Sequence, residues 1–238
     1  MTNEVSLDPE PEVEAVTVSS NVFAQEQLRL DAAHYAREKP KVRHLLEQCG
    51  YDLVQLGDLC EKIFNLPRFR RVYATNPADG WPYMTPGQLV MFRCYDQERL
   101  ISKTRAPRDA AEHFVRSGWV LITCSGTVGR PILATQALSK YFLTHDLIRL
   151  VPKKGTRPGY IVAYLASRIG QTLLRDEYGG TIDHIEPIHV RPIPVPMLPD
   201  ELQERIEGMV QEAYKLRDKA NDLLTKAESL VEEALNQK

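Results

Sequence analysis

At 238 residues, 43% apolar and 26% charged, the chain has enough material for one large domain, or one domain with an appendage, of ordinary globular composition. It contains no apolar run near the ~18 residues of a membrane span, and no basic leader before an apolar core, so neither a span nor a secretory signal is expected. Net charge is only −2 but uneven: residues 65–191 carry +8, while residues 1–64 and 192–238 carry −6 and −4, which directs the centre of the chain, and not its ends, toward a polyanion.

Residues 1–28 read as an acidic, mobile leader in which Glu4, Asp8, Glu10, Glu12 and Glu14 have nothing to pack against. A helix is expected from Arg29 to Gln48, stopped by Gly50, and a second short one from Leu56 to Phe64. Cys49, Cys60, Cys94 and Cys124 form no C-x-x-C pair, so disulfide frameworks and zinc knuckles are poor readings and reduced thiols in the cytoplasm a better one.

Pro67 to Tyr73 carries Arg68, Arg70 and Arg71 with Phe69 and Tyr73 between them. Guanidinium groups bond phosphate or guanine edges in pairs and aromatic rings stack on bases, so the segment suits a nucleic-acid contact; a half-buried strand would alternate in the same way. Gly80 and Pro82 suggest a turn before strands at Tyr83 to Met84 and Leu89 to Phe92. A second basic run, Ser102 to Arg108, holds Lys103, Arg105 and Arg108 and reads equally well as an exposed loop or a phosphate contact. A short helix is expected around Ala110 to Arg116.

Trp119 to Cys124 is an apolar, β-rich run that leads straight into Ser125, Gly126, Thr127, Val128, Gly129 and Arg130. Two glycines permit a tight bend whose amides and hydroxyls could face a phosphate oxygen. No lysine stands at the Walker A position, so a nucleotide P-loop is not indicated. Strands are expected at Ile132 to Ala134 and Leu147 to Val151, and one helix across Tyr160 to Leu174. A second glycine turn follows at Gly180 and Thr181, then an edge strand among the prolines between Ile188 and Val195.

The stretch from Pro199 to Lys238 repeats apolar residues in alternating steps of four and three: Leu202, Ile206, Met209, Ala213, Leu216, Ala220, Leu223, Ala227, Leu230 and Ala234. That is the a/d seam of a coiled coil. Asp200 with Gln203 suggests a capping box, and a helix from Glu201 to Leu235 would run roughly 52 Å. Alanine at the a positions lets two axes approach closely, which favours an antiparallel pair over a parallel one. Val210, Leu224 and Val231 widen the stripe enough for a third helix. The plainer alternative is a helix folded back on its own domain.

No catalytic constellation assembles. Ser125 lies in Cys-Ser-Gly and not in a nucleophile elbow, and His184 and His189, five apart around Pro187, do not share a helix face as metal ligands would. The N/D-P-P-Y/F motif of DNA amino-methyltransferases is absent as well.

Taken in order, Leu56-Gly57-Asp58-Leu59, the Arg68–Tyr73 patch, Gly118 to Ile122 into Ser125–Gly129, Gly159-Tyr160-Ile161 into Ala163-Tyr164-Leu165, Gly179–Ile182 with His184-Ile185, and Ile193–Pro196 before the long helix resemble the DNA specificity (S) subunit of type I restriction-modification enzymes over about residues 29–236. The resemblance implies an α+β chain: a β-rich target recognition domain at 29–198, then a coiled-coil spacer and dimerisation helix at 199–238. It implies a non-catalytic cytoplasmic protein that reads half of a split double-stranded DNA target and docks a methyltransferase (M) subunit, with a nuclease-translocase (R) subunit joining. S-adenosylmethionine and ATP belong to those partners, and no cofactor or metal to this chain. Family members carry two recognition domains and two spacers where this chain has one of each, so an antiparallel homodimer would rebuild the layout and imply a palindromic site. Ser125, Gly126, Thr127, Gly129, Arg130, Gly180 and Thr181 match the family's glycine turns and would position the DNA backbone. Arg68, Arg70, Arg71, Tyr73, Lys103, Arg105 and Arg108 are the candidates for base contact. A coiled-coil scaffold whose basic domain binds RNA or an acidic protein is the alternative.

Overall fold

The computed structural model describes residues 39–95, 99–126, 128–175 and 184–236. The expected leader, the first part of the 29–48 helix, Thr127, and the turn at Gly180 and Thr181 lie outside them. Helix α1 (Lys39–Glu47) is the described remainder of that first helix.

The centre is an antiparallel sheet of β2 (Cys60–Phe64), β6 (Val120–Thr123), β7 (Pro131–Leu133) and β9 (Leu147–Pro152), in the spatial order β2-β9-β6-β7. Register pairs Val120 with Leu150, Leu121 with Arg149 and Ile122 with Ile148. Both faces are covered, which is why β6 reads as an unbroken apolar run and not as an alternation. Val120, Ile122, Ile148 and Leu150 join one core with Tyr160, Ile161 and Leu165, while Leu121, Ile132 and Leu147 join another with Met84, Leu89, Leu138 and Leu143.

A second sheet has the order β3 (Tyr73–Ala74), β5 (Leu100–Ser102), β4 (Gly80–Met84), β8 (Phe142–Leu143), with β4 and β8 parallel. Tyr83, Ile101 and Phe142 form its core with Phe69, Trp81 and Phe114 around them. Gly80 and Pro82 thus sit inside a strand and do not turn the chain. At Gly80 a Cβ would lie 2.5 Å from the Leu100 Cβ, so the glycine permits close strand approach. Residues 56–64, expected as a helix, are a 3-10 turn at Leu56–Leu59 followed by β2, because pairing with β9 outweighs the local helical spacing. The strand expected at Leu89 to Phe92 is likewise replaced by α2 (Pro86–Leu89), started by Pro86 and a Thr85–Gln88 capping box.

The helix expected across 160–174 is broken. α3 (Pro158–Ala166) ends where Ser167 turns extended, and α4 (Arg168–Arg175) restarts. Gly170 permits the corner, since a Cβ there would lie 2.2 Å from the Tyr164 carbonyl oxygen. In the 188–195 stretch, α5 (Pro187–Val190) precedes a short strand, β10 (Pro194–Pro196), which pairs with β1 (Leu53–Gln55). Tyr160 and Tyr164 on α3 donate their hydroxyls to the carbonyls of Pro196 and Pro194. Four residues of helix advance ~6 Å and two of strand ~6.6 Å, so the two periods match. Burial pushes the Tyr160 hydroxyl up to about 12.

Helix α6 (Asp200–Asn236) is 37 residues long. It does not project freely. Ile206, Val210 and Tyr214 pack on the core, the Glu207 carboxylate accepts the Tyr160 amide at 3.0 Å in the first turn of α3, and Asn221 donates to the Phe92 carbonyl at 2.9 Å. Tyr95 donates to Asp218 at 2.6 Å, and Arg93 forms a fork with Glu228. Ile206, expected in the seam, is thus taken up by the domain, but the polar contacts lie on a different stripe from the leucines, and Leu202, Met209, Leu216, Leu223 and Leu230 remain 41–66% exposed. Ala213, Ala227 and Ala234 are exposed too, and Ala220 is half-buried. Val210, expected to widen the seam, instead faces the domain. The expected capping box is not what starts the helix: Gln203 donates to the Leu198 carbonyl, while both Asp200 oxygens accept from Arg157 at 2.9 Å. Among the described residues no helix is long and apolar enough to cross a membrane.

Candidate nucleic-acid interface

Strand pairing brings the two basic runs together. Tyr73 pairs with Ile101, and the Ser102 amide donates to the Val72 carbonyl at 2.9 Å. The pairing joins the end of the Arg68–Tyr73 run to the start of the Ser102–Arg108 run, and the side chains of Arg68, Arg70, Arg71, Lys103, Arg105 and Arg108 are all exposed, as is that of Tyr73. Lys103 donates its ammonium to the Ala78 carbonyl at 2.7 Å, which partly satisfies it within the fold. Phe69 is not available for base stacking. Its ring packs edge-on against His113, Phe142 and His145 at centroid distances of 4.9, 5.7 and 5.4 Å. Among the aromatic residues of the first run only Tyr73 is exposed, edge-on to Tyr83 with the Arg99 guanidinium 5.8 Å from its ring centre.

Asp146 ties the first run to the glycine loop. Its carboxylate accepts from Arg71 at 3.0 Å and from the Thr144 hydroxyl at 2.9 Å, and its backbone carbonyl accepts the Cys124 amide at 3.2 Å. Ser125 comes next in the chain and forms a backbone bridge to His184. Beneath lies a buried basic group. His145 Nε2 is 3.3 Å from Asp146, and burial holds this imidazole below its ordinary range; Asp146 opposes that shift, while Arg71, Arg68 and Arg149 reinforce it. Arg149 is wholly buried on β9, donates to the carbonyls of Leu147 and Thr144 at 3.0 Å each, and is pushed down to about 10 by desolvation. Those two bonds pin the turn that presents Asp146.

The glycine loop is the β6–β7 connection. Gly126 (φ 74) and Gly129 (φ 78) have the left-handed backbone that glycine favours. The Gly129 amide donates to the Thr123 carbonyl at 2.7 Å and the Arg130 amide to the Thr123 hydroxyl at 3.0 Å. Those two amides are thus taken up inside the hairpin and do not offer themselves to phosphate. Gln171 donates to the Gly129 carbonyl at 2.8 Å and fixes the loop to α4. The Arg130 side chain is exposed and, with Arg217, Gln171 and Tyr214, lines a cleft of about 440 Å³ between the hairpin and α6. Arg130 immediately precedes β7 and Asp146, with Arg71 paired to it, immediately precedes β9, so both stand at the end of the sheet where β6 finishes.

Sequence reasoning passed over Asp146, His145, Thr144 and Arg149. The signals were present: three polar residues, Thr-His-Asp, stand between the apolar strands at 142–143 and 147–152, and a lone arginine interrupts Leu-Ile-Arg-Leu-Val. Neither pattern reveals its partner, because Arg71 is 75 residues away. Among the described residues no group of three or more His, Cys, Asp or Glu could hold a metal ion.

The fold these elements build, an α+β domain followed by a long helix, is one that restriction-modification proteins use. A chain from a structure described as the basis of complex assembly and conformational transition of the type I R-M system aligns with TM-score 0.50 over 82% of this chain and 50% of its own, at 17% identity. The type IIG restriction endonuclease BpuSI aligns with TM-score 0.52 over 81% of this chain and 30% of its own, at 9% identity. The HsdS subunit of Thermoanaerobacter tengcongensis gives 0.47 over 87% and 49%, at 17% identity. At such identities the likeness is one of fold, and the chain spans about half the length of those two type I chains. No protein-family model and no curated protein matches the sequence.

Proposed function

We propose that this chain is the DNA-reading subunit of a restriction-modification assembly. It is itself non-catalytic and recognises one half of a bipartite duplex target. The observation that carries the reading is the antiparallel pairing at Val72 and Ser102, which gathers two basic runs beside Arg71 and Asp146 on a fold that restriction-modification proteins share. Arg68, Arg70, Arg71, Lys103, Arg105, Arg108 and Arg130 supply the cationic surface, and Tyr73 a ring at its edge. Exposed guanidiniums on loops held by a rigid sheet suit duplex recognition, in which phosphate contacts set register and base contacts set sequence.

The leucine seam of α6 is the surface for a second helix, and we assign it to an antiparallel copy of this chain, so that two identical heads read identical half-sites. A methyltransferase subunit docks on the paired helices and supplies S-adenosylmethionine chemistry; a nuclease-translocase subunit would bring ATP. The assembly would work in the cytoplasm, where its DNA is.

The test is binding of the full chain to duplex DNA as a function of salt, with duplex RNA as competitor, followed by mapping of modified adenines after co-expression with a methyltransferase subunit. The expected result is an affinity that falls steeply as salt rises, preference for DNA, and modification at a two-part palindromic site. Binding that is indifferent to salt, or equal for RNA, would overturn the reading.

A further inference from the structure

We propose that Arg71 is the specificity-determining side chain for one guanine of the target and that Asp146 is its positioning residue; this rests on the DNA-reading function above. Arg71 and Asp146 form an ion pair at 3.0 Å. Among the described residues, no side-chain hydrogen bond or ion pair joins Arg68, Arg70, Arg105 or Arg108 to the rest of the fold. Those four are exposed cations on loops, which suits phosphate. Arg71 is held, and an arginine fixed in advance loses less side-chain freedom when it meets a base edge.

Asp146 is built to hold it. One carboxylate oxygen takes both Arg71 and the Thr144 hydroxyl, the Thr144 hydroxyl takes the Asp146 amide at 3.2 Å, and the Asp146 carbonyl takes the amide of Cys124 on the central sheet. The Asp146 side chain is 16% exposed and that of Arg71 39%. The ion pair occupies a single N–H of a guanidinium that has five, leaving an adjacent pair for guanine O6 and N7. A carboxylate at the edge of a polyanion site lowers affinity for every duplex. Its presence is intelligible if it gives up general attraction for selectivity at one base pair.

The experiment is selection from a pool of randomised duplex DNA by the full-length chain, run in parallel for wild type, Arg71→Lys, Asp146→Asn and Arg108→Gln, with unfolding curves to confirm that each variant folds. Arg71→Lys keeps the charge at an exposed position and should lose a roughly 5- to 150-fold preference for guanine at one position. Asp146→Asn should bind the unselected pool more tightly through loss of its charge while losing part of the preference at the position that Arg71→Lys affects, a position-specific loss that a merely structural role for Asp146 would not produce. Arg108→Gln should weaken all sequences alike. The inference is overturned if Arg71→Lys leaves every position unchanged, if the two variants affect different positions, or if Asp146→Asn weakens selected and unselected DNA equally. A wild-type chain that enriches no sequence overturns the DNA-reading function itself, and with it this inference, before any substitution is compared.

Discussion

His113 shows how much of the sheet beneath the candidate interface rests on neutral buried imidazoles. Its ring is fully buried and stacks on Phe142 at 4.3 Å, and Nδ1 is 2.7 Å from the Leu143 carbonyl. A carbonyl can only accept, so Nδ1 carries the proton and Nε2, 3.9 Å from Asp109, is bare. Burial holds the pKa of His113 below 6.5, with Arg149 and His145 adding to the effect, and His145 is shifted the same way. Because the folded values are depressed, the unfolded chain takes up protons first as pH falls. The stabilisation is complete above about 6.5 and is lost as pH drops from there through the lowered folded values, by up to about 1.4 kcal/mol per pH unit for each histidine. Urea unfolding at pH 7.5 and pH 5.5 should show the loss, and His113→Phe should reduce its size while costing about 1 kcal/mol at the higher pH through the unanswered Leu143 carbonyl. An unchanged pH dependence in that variant would contradict the assignment.

Among the elements, α6 and α3 meet so closely that glycine is required on one side. A Cβ on Gly159 would lie 2.8 Å from a Glu207 carboxylate oxygen and 3.1 Å from the Glu207 carbonyl, whereas a Cβ on Gly208, the next residue of α6, would meet nothing within 4 Å. The two should therefore respond in opposite directions. Gly159→Ala should destabilise by about 1–3 kcal/mol, because α6 must shift off α3. Gly208→Ala should stabilise by up to about 1 kcal/mol, the ordinary helix preference of alanine. Denaturant midpoints of the two variants measure both effects.

The same junction shows what the sequence can and cannot express. The length of α6, the buried strand at 120–123 and the tight bend at the two glycines are legible because each depends on its own residues: a 3.5-residue repeat, a β-branched run, two glycines. The strand at 60–64 is not legible, since its partner is β9, nearly ninety positions on. Nor is the second stripe of α6. Gln203, Glu207, Tyr214, Asp218 and Asn221 look like a solvated polar face until Tyr95, Phe92 and Tyr160 are set against them. The interface follows the same rule. Arg71 is visible as an arginine in a basic run, but the carboxylate that holds it belongs to another strand.

For the whole molecule, the attachment of α6 along its own domain changes what the helix can measure. A helix of 37 residues is roughly 55 Å long. If it projected freely, that length would set the separation of two heads in an antiparallel pair. It is instead gripped from Arg157 at Asp200 to Arg93 at Glu228, so in the proposed pair each domain would ride beside most of its own helix and the spacing would follow from where the grip falls. At 100° per residue, Met209, Leu216 and Leu223 lie roughly 120–160° around the axis from Asn221. A second rod on that seam would approach from the side without displacing the domain. Because these leucines are exposed in the protomer, Leu216→Glu with Leu223→Glu should still unfold cooperatively, with a midpoint that no longer depends on protein concentration. The pair should be monomeric by sedimentation equilibrium where the wild type is dimeric, and should enrich a single half-site where the wild type enrichs two in inverted repeat. A wild type that sediments as a monomer, or a double variant that still dimerises, would remove the seam as the dimer surface while leaving the reading head and its Arg71–Asp146 pair untouched.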